Sequence, residues 1–327
     1  MRSFLYRSLA ATMLSLASVS TALGVGDDFS LNPLLGGSPW SFGVGSNSNS
    51  HFSWTPGELT VLINTSLPTA RLDLPLGTTL GDTDSFLLSA RFSFNVANAP
   101  GDQFAQFSFG LTNQAQTGGD RTGSLADFNS ANTYHTVEFD YFPNVSPTFG
   151  GPTLSPAVFG GPAGSAFNNF ASVFGSPANL GDNTVGITTL PENTALQAEL
   201  AYDGATKILT LNMYEVGPGE LLTLLNTELV PLELTAFGSA YDPFNPFSVD
   251  ALSIMAYADG FTTPQVPSLT AEVRYDFINL TIVPEPSAIM LTVIGAVVVL
   301  VRTFHPRLVR GTHDPALSPS GRLPRQP

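Results

Sequence analysis

The stretch Ser85 to Val96, SFLLSARFSFNV, places Phe86, Leu88, Ala90, Phe92, Phe94 and Val96 at every second position. Successive side chains of a strand point to opposite faces, whereas a helix would scatter such a set around its axis, so this stretch folds as a strand with one apolar side. The same pattern recurs in GELTVLINT (Gly57 to Thr65), QFAQFSFGLT (Gln103 to Thr112), HTVEFDYF (His135 to Phe142), ALQAELAYD (Ala195 to Asp203), KILTLNMYEV (Lys207 to Val216) and AEVRYDFINLTIV (Ala271 to Val283). No stretch shows helical periodicity. Many strands separated by turn residues, without a repeat or a dividing linker, predict one all-β domain built as a sandwich or barrel. Phe92, Phe94, Phe107 and Phe109 belong to its core. Asp203-Gly204 marks a hairpin turn, and Pro147 to Asn183, rich in Gly, Pro, Ser and Asn, reads as one long loop with room for a short strand.

The two ends read differently. MRSFLYRSLAATMLSLASVSTALG carries Arg2 and Arg7 before an apolar run and small residues at a cleavage site, the pattern of a secretory signal peptide over residues 1–22. Near the other end an apolar run, Ala288 to Val301, predicts a single transmembrane helix at the short end of what crosses a bilayer. Arg302, Arg307 and Arg310 follow it and favour a cytoplasmic tail. With Pro284, Glu285, Pro286 and Arg302 in this order, residues 283–327 resemble the PEP-CTERM sorting signal of exopolysaccharide-producing bacteria. That resemblance implies a membrane anchor that an exosortase-type processing enzyme cuts, and a protein of the cell envelope or extracellular matrix.

Between these ends, residues 23–282 form the expected domain. The formal charge of the chain is −14, and within the domain the only bases are Arg71, Arg91, Arg121, Lys207 and Arg274. So acidic a surface disfavours nucleic acid and anionic lipid while leaving divalent cations and neutral sugars open. There is no cysteine, which removes disulfides, thiolate zinc sites and cysteine nucleophiles together. Stability then rests on the core, for which a domain of this length and a 43% hydrophobic content suffice.

The chemistry concentrates in NTYHTVEFDYFPNVS, Asn132 to Ser146. On a strand Glu138, Asp140 and Phe142 share one face, and Val137, Phe139 and Tyr141 the other. Two close carboxylates repel unless something neutralises them, and a hard cation held by carboxylate, carbonyl and Asn144 oxygens does so. The alternatives are a solvated strand face and half of a glycosidase site. His51 and His135 are isolated, and no serine lies in a nucleophile-elbow pattern. Trp40 and Trp54, flanking a Gly- and Ser-rich segment, either stack on a sugar or pack against an edge strand.

Several stretches, in order, resemble the legume-type (L-type) lectins. SFLLSARFSFNV is similar to an early F-x-x-x-F-x-F strand, GDQFAQFSFGL to the A-D-G-hydrophobic-A-F strand, TGGDRTGSLADFNS to the Gly-Gly loop with L-G-L-F-N, HTVEFDYFPN to V-E-x-D-T-x-x-N, and LAYDGATKILTLNMY to Y-D-x-x-T-K-x-L-T-V. The resemblance covers roughly residues 85–216 and implies a concanavalin A-like jelly-roll sandwich. By it, Glu138 binds a transition metal, Asp140 bridges that metal and Ca2+, and Phe142 offers calcium a backbone oxygen and the sugar a ring. Asn144 binds calcium and sugar, while Asp102 and the backbone N–H of Gly119 complete a monosaccharide pocket.

Two departures are visible. After Asn144 the family supplies an aspartate and a histidine, whereas Val145 to Gly160 contains neither. Calcium is then left with fewer ligands, or with Asp120 or Asp127. The related laminarinase-type hydrolases carry E-x-D-x-x-E, and here Pro143 or Asn144 stands where the second glutamate belongs, so a retaining mechanism lacks its partner carboxyl. The expectation is therefore an exported, non-enzymatic, lectin-like protein that binds extracellular polysaccharide or another glycan. The alternative is a structural matrix protein that keeps the lectin fold without a working sugar site.

Overall fold

The structure is a computed structural model, and it describes residues 23–43, 49–67, 70–99, 104–114, 135–144, 152–159, 189–225, 232–233, 246–259 and 268–283. In chain order the strands are β1 (Leu23–Asp27), β2 (Ser41–Phe42), β3 (Phe52–Thr55), β4 (Glu58–Asn64), β5 (Ala70–Gly81), β6 (Ser85–Asn98), β7 (Phe104–Thr112) and β8 (Thr136–Phe142). There follow β9 (Thr153–Phe159), β10 (Leu196–Asp203), β11 (Ile208–Val216), β12 (Leu222–Leu224), β13 (Leu232–Glu233), β14 (Ser248–Asp259) and β15 (Thr270–Val283). Among the described residues there is no α-helix, only short 3-10 turns at Asn49–His51 and Pro218–Glu220. The expected signal peptide and C-terminal transmembrane helix lie outside the described residues.

The strands form two antiparallel sheets. The larger, of nine strands, runs β12-β11-β10-β6-β15-β4-β3, with β1 added on β15 and β13 on β11. The smaller, of six, runs β2-β5-β14-β7-β8-β9. Every strand expected from alternation is present, with ends shifted by one or two residues. The loop expected at 147–183 contains β9, which pairs with β8 from Phe142↔Thr153 to Thr136↔Phe159.

The inward faces of the sheets share one core. Phe92 of β6 lies 6.2 Å from the ring of Phe109 and 5.6 Å from that of Phe139, while Phe94 lies 5.1 Å from Phe107 and 5.4 Å from Tyr141. Phe109 stacks on Phe139 at 4.8 Å. These rings join β6 of the larger sheet to β7 and β8 of the smaller one. Each buries enough apolar area to contribute on the order of 2 kcal/mol or more, so the face of β8 that looks inward is fixed by its aromatics.

Turn chemistry sets the register next to this core. At the β10–β11 hairpin Asp203 accepts N–H bonds from Ala205 (2.9 Å) and Thr206 (3.4 Å) and the Thr206 hydroxyl (2.8 Å). These bonds, the Thr206 hydroxyl foremost, hold the Asp203 carboxyl below its ordinary pKa. Gly204 sits so close to Thr83 that an added Cβ would lie 2.2 Å from its carbonyl oxygen, which makes glycine obligatory there.

Both tryptophans tie down the N-terminal segment. Trp40 Nε1 donates to Asp27 Oδ2 at 2.6 Å, and Trp54 Nε1 donates to the Phe29 carbonyl at 2.7 Å. Trp40 is buried and Trp54 packs against the core, which is the packing alternative rather than sugar stacking.

Candidate functional site

Because Val137, Phe139 and Tyr141 are committed to the core, strand alternation turns Thr136, Glu138, Asp140 and Phe142 to the other face of the smaller sheet. Glu138 stands opposite Gly110 of β7 and Ala157 of β9, and Asp140 opposite Ser108 and Ser155. The alternative of a solvated strand face is not what forms. Glu138 is 1% exposed and Asp140 2%, and charge removed from water to this degree needs partners.

Asp140 has one in Gln106, whose Nε2 donates to Asp140 Oδ1 at 2.7 Å. The Thr136 hydroxyl donates to the Leu111 carbonyl at 2.8 Å and lies 3.5 Å from Glu138 Oε2. Gly110 makes room for the acid opposite it. A Cβ there would meet the Val137 carbonyl oxygen at 2.4 Å, Glu138 Cα at 2.6 Å and Glu138 Cβ at 2.7 Å.

β8 ends at the half-buried ring of Phe142, and Pro143 turns the chain toward Asn144. Asn144 Oδ1 accepts the backbone N–H of Ala105 at 2.8 Å, which pins the turn to the start of β7. The structure therefore gathers Glu138, Asp140, Phe142 and Asn144 on one strand and its turn. Asp102 and Gly119 lie outside the described residues, as do Asp120, Asp127 and the sorting-signal residues Pro284, Glu285, Pro286 and Arg302.

A second polar cluster on the same face escapes sequence reading. Arg71 and Asp73 of β5 form a two-pronged ion pair, Nε to Oδ1 at 2.7 Å and Nη2 to Oδ2 at 2.9 Å, with side chains 3% and 0% exposed. Ser253 of β14 donates to Asp73 Oδ1 at 2.6 Å and shares a 2.7 Å hydrogen bond with Thr112 of β7. The signal was an opposite-charge pair two residues apart in ARLDLPL, which puts both side chains on one face of a strand.

Behind the site, burial pushes the Tyr141 phenol up to about 12, and its oxygen accepts the Leu190 N–H at 2.9 Å. At the far end of β8 burial lowers the pKa of His135, whose Nδ1 accepts the Ser248 N–H at 2.9 Å. His51 is also a structural histidine, with Nδ1 2.6 Å from the Leu62 carbonyl.

The metal expectation can be tested on the donor set. Among the described residues no group of three or more His, Cys, Asp or Glu side chains gathers to hold an ion. Two of the expected ligand oxygens, Asp140 Oδ1 and Asn144 Oδ1, already accept protein N–H bonds. The described residues alone do not fit the oxygen-rich shell that calcium takes.

No protein-family model and no curated protein matches the chain. Solved structures of similar fold include a Lotus tetragonolobus seed lectin, at 15% identity over 81% of this chain and 100% of that one, with a TM-score of 0.45. Others are the legume lectin-like domain from Entamoeba histolytica, at 12% identity over 75% and 90% with a TM-score of 0.39, and the Emp47p carbohydrate recognition domain, at 12% over 81% and 98% with a TM-score of 0.39. At these identities the likeness concerns the fold alone.

Proposed function

We propose that this is an exported, non-enzymatic, lectin-like protein that binds extracellular polysaccharide at the rim of the smaller sheet, where Phe142 and Asn144 lie. The carrying observation is the hydrogen bond from the Ala105 N–H to Asn144 Oδ1, which draws the turn after β8 to the start of β7. Asp102 stands three residues before Ala105 in the chain. In this reading Asp102 and the Gly119 N–H join that rim, a carboxylate accepting from adjacent sugar hydroxyls and an amide donating to one. The signal peptide takes the protein out of the cytoplasm, and the C-terminal sorting segment holds it at the envelope until an exosortase-type enzyme cuts it.

Hydrolysis lacks support because Pro143 occupies the place of the second carboxyl that a retaining glycosidase needs. The structural-matrix alternative draws on the same bond that carries the sugar reading, since Asn144 Oδ1 serves the fold.

A single substitution separates the two. Asn144→Asp keeps the oxygen that Ala105 requires and removes the amide N–H that a sugar oxygen would accept. The compact unit that ends at Val283 is produced from Leu23 and titrated with exopolysaccharide and with simple sugars. Saturable binding, competed by a monosaccharide and reduced at least tenfold by Asn144→Asp at unchanged melting temperature, supports a sugar site. Binding that is absent, or indifferent to this change, leaves the structural role.

A further inference from the structure

Among the described residues the smaller sheet carries three buried acids on the face turned from the core, Asp73, Glu138 and Asp140. A buried carboxylate is tolerated only when its charge is answered by an opposite charge, by donors or by a metal. For Asp73 the answer is the Arg71 fork together with the Ser253 hydroxyl. For Asp140 it includes an N–H of Gln106 at 2.7 Å, the short range of charge-assisted hydrogen bonds.

Against an ionised Asp140 the amide has one workable orientation. Turned the other way, Gln106 would set its carbonyl oxygen 2.7 Å from a carboxylate oxygen, two acceptors with no hydrogen between them. With the N–H inward, the positive end of the amide dipole sits against Asp140 Oδ1, an oxygen that a cation would otherwise claim. The neighbouring oxygen, Asn144 Oδ1, is held by the Ala105 N–H at 2.8 Å. Both donors come from the start of β7, so one strand end answers both groups. Independently, Val145 to Gly160 holds neither the aspartate nor the histidine that would enlarge an ion's shell.

We propose that Gln106 stands in the place of a divalent cation as the positioning residue of this site. The strand end, the Asn144 turn and the polysaccharide rim are then assembled by protein donors and need neither calcium nor a transition metal. The part concerning the rim rests on the carbohydrate-binding reading, whereas the part concerning ions stands without it.

The test begins with the unit Leu23–Val283 stripped by chelator and titrated with CaCl2 or MnCl2 in a calorimeter and in thermal melts. No saturable heat, and melting temperatures that agree with and without ion, are expected. Stoichiometric binding of either ion, with a rise in melting temperature that Asp140→Asn removes, would overturn the proposal.

Gln106→Glu supplies the converse. It places a second carboxylate against Asp140, so the melting temperature falls at neutral pH and is partly restored by calcium or by acidification. A Gln106→Glu variant as stable as the parent at neutral pH in chelator would show that Asp140 does not depend on the Gln106 N–H, and would refute the assignment. If that variant fails to fold, the ion titration of the parent still decides. Because these readouts use ions and heat alone, a failure to bind sugar leaves them standing. Polysaccharide binding abolished by chelator would overturn this inference while preserving the lectin reading.

Discussion

Replacing Arg71 by Met is the sharpest probe of the sealed polar face. The guanidinium and the Asp73 carboxylate meet through two hydrogen bonds of 2.7 and 2.9 Å, and neither side chain is more than 3% exposed. Methionine removes the charge while keeping much of the volume, so the loss falls on Asp73, which is left buried with the Ser253 hydroxyl as its donor. Breaking a buried pair from one side costs about 3–5 kcal/mol. For a domain of this size that corresponds to a fall of roughly 6–20 °C in melting temperature. The double variant Arg71→Met, Asp73→Leu removes both charges, and its stability should return to within about 1–2 kcal/mol of the parent, less the acceptor that Ser253 loses. Urea denaturation of the parent, both single variants and the double variant gives the coupling energy directly. A coupling below about 1 kcal/mol, the range of exposed pairs, would show that water reaches Asp73 and would refute the claim that this face is closed.

Gly110→Ala should destabilise by about 1–3 kcal/mol, toward the upper end, because the new Cβ collides with backbone atoms of Val137 and Glu138 rather than with a flexible tip; chemical denaturation measures it. His135 keeps its Nδ1 lone pair for the Ser248 N–H only while neutral, and burial lowers its folded-state pKa. The unfolded chain therefore takes up its proton first, so stability is full above about pH 6.5 and declines as pH falls below that value. Melting temperatures between pH 8 and pH 5 should show this slope in the parent and a shallower one in His135→Gln. Tyr141 has the opposite sign: its pKa is raised to about 12, so its contribution is complete below about pH 10 and is lost as pH climbs toward 12. Burial raises Tyr202 and Tyr275 as well, so absorbance at 295 nm should show several phenolates forming together with unfolding, and Tyr141→Phe should lower that amplitude by one phenolate and shift the onset to higher pH.

How far the sequence reveals this molecule depends on which strands show one face to water. β6 and β15 alternate cleanly because the outward side of the larger sheet is partly exposed. β14, inside the smaller sheet, shows no alternation in the sequence. Leu252 and Ile254 face the core, yet Ser253 and Met255 on the other side are equally buried, and a register shift between Val249 and Ala251 breaks the period. β5 was hidden for a related reason. Arg71 and Asp73 look solvated in sequence but are not, and Pro75 and Gly77 (φ 71°) mimic a turn. They are tolerated because, among the described residues, β2 pairs with Leu72 and Asp73 and no strand pairs with β5 on that side at Pro75 or Gly77. The candidate site was legible in part, since alternation alone places Glu138, Asp140 and Phe142 together. The burial of the two acids was not, because alternation shows that they turn away from the core and says nothing of what covers that face.

Composition explains why a neutral side chain holds that position. Among the described residues of the domain the bases are Arg71, Arg91, Lys207 and Arg274, and these pair with Asp73, Glu220, Asp82 and Glu272 respectively. Of these pairs only Arg71–Asp73 lies on the outer face of the smaller sheet. A chain so poor in lysine and arginine that still buries acids has to draw on donors that carry no charge. Amides, hydroxyls and backbone N–H groups answer a carboxylate at a distance set by the strand spacing, and they impose a geometry that a mobile ion would not. Gln106 on Asp140 and Ser253 on Asp73 are of this kind. On this argument Gln106→Lys, which offers Asp140 a charge, should leave the fold intact and raise the melting temperature, whereas a cation-binding site would be abolished by the same change.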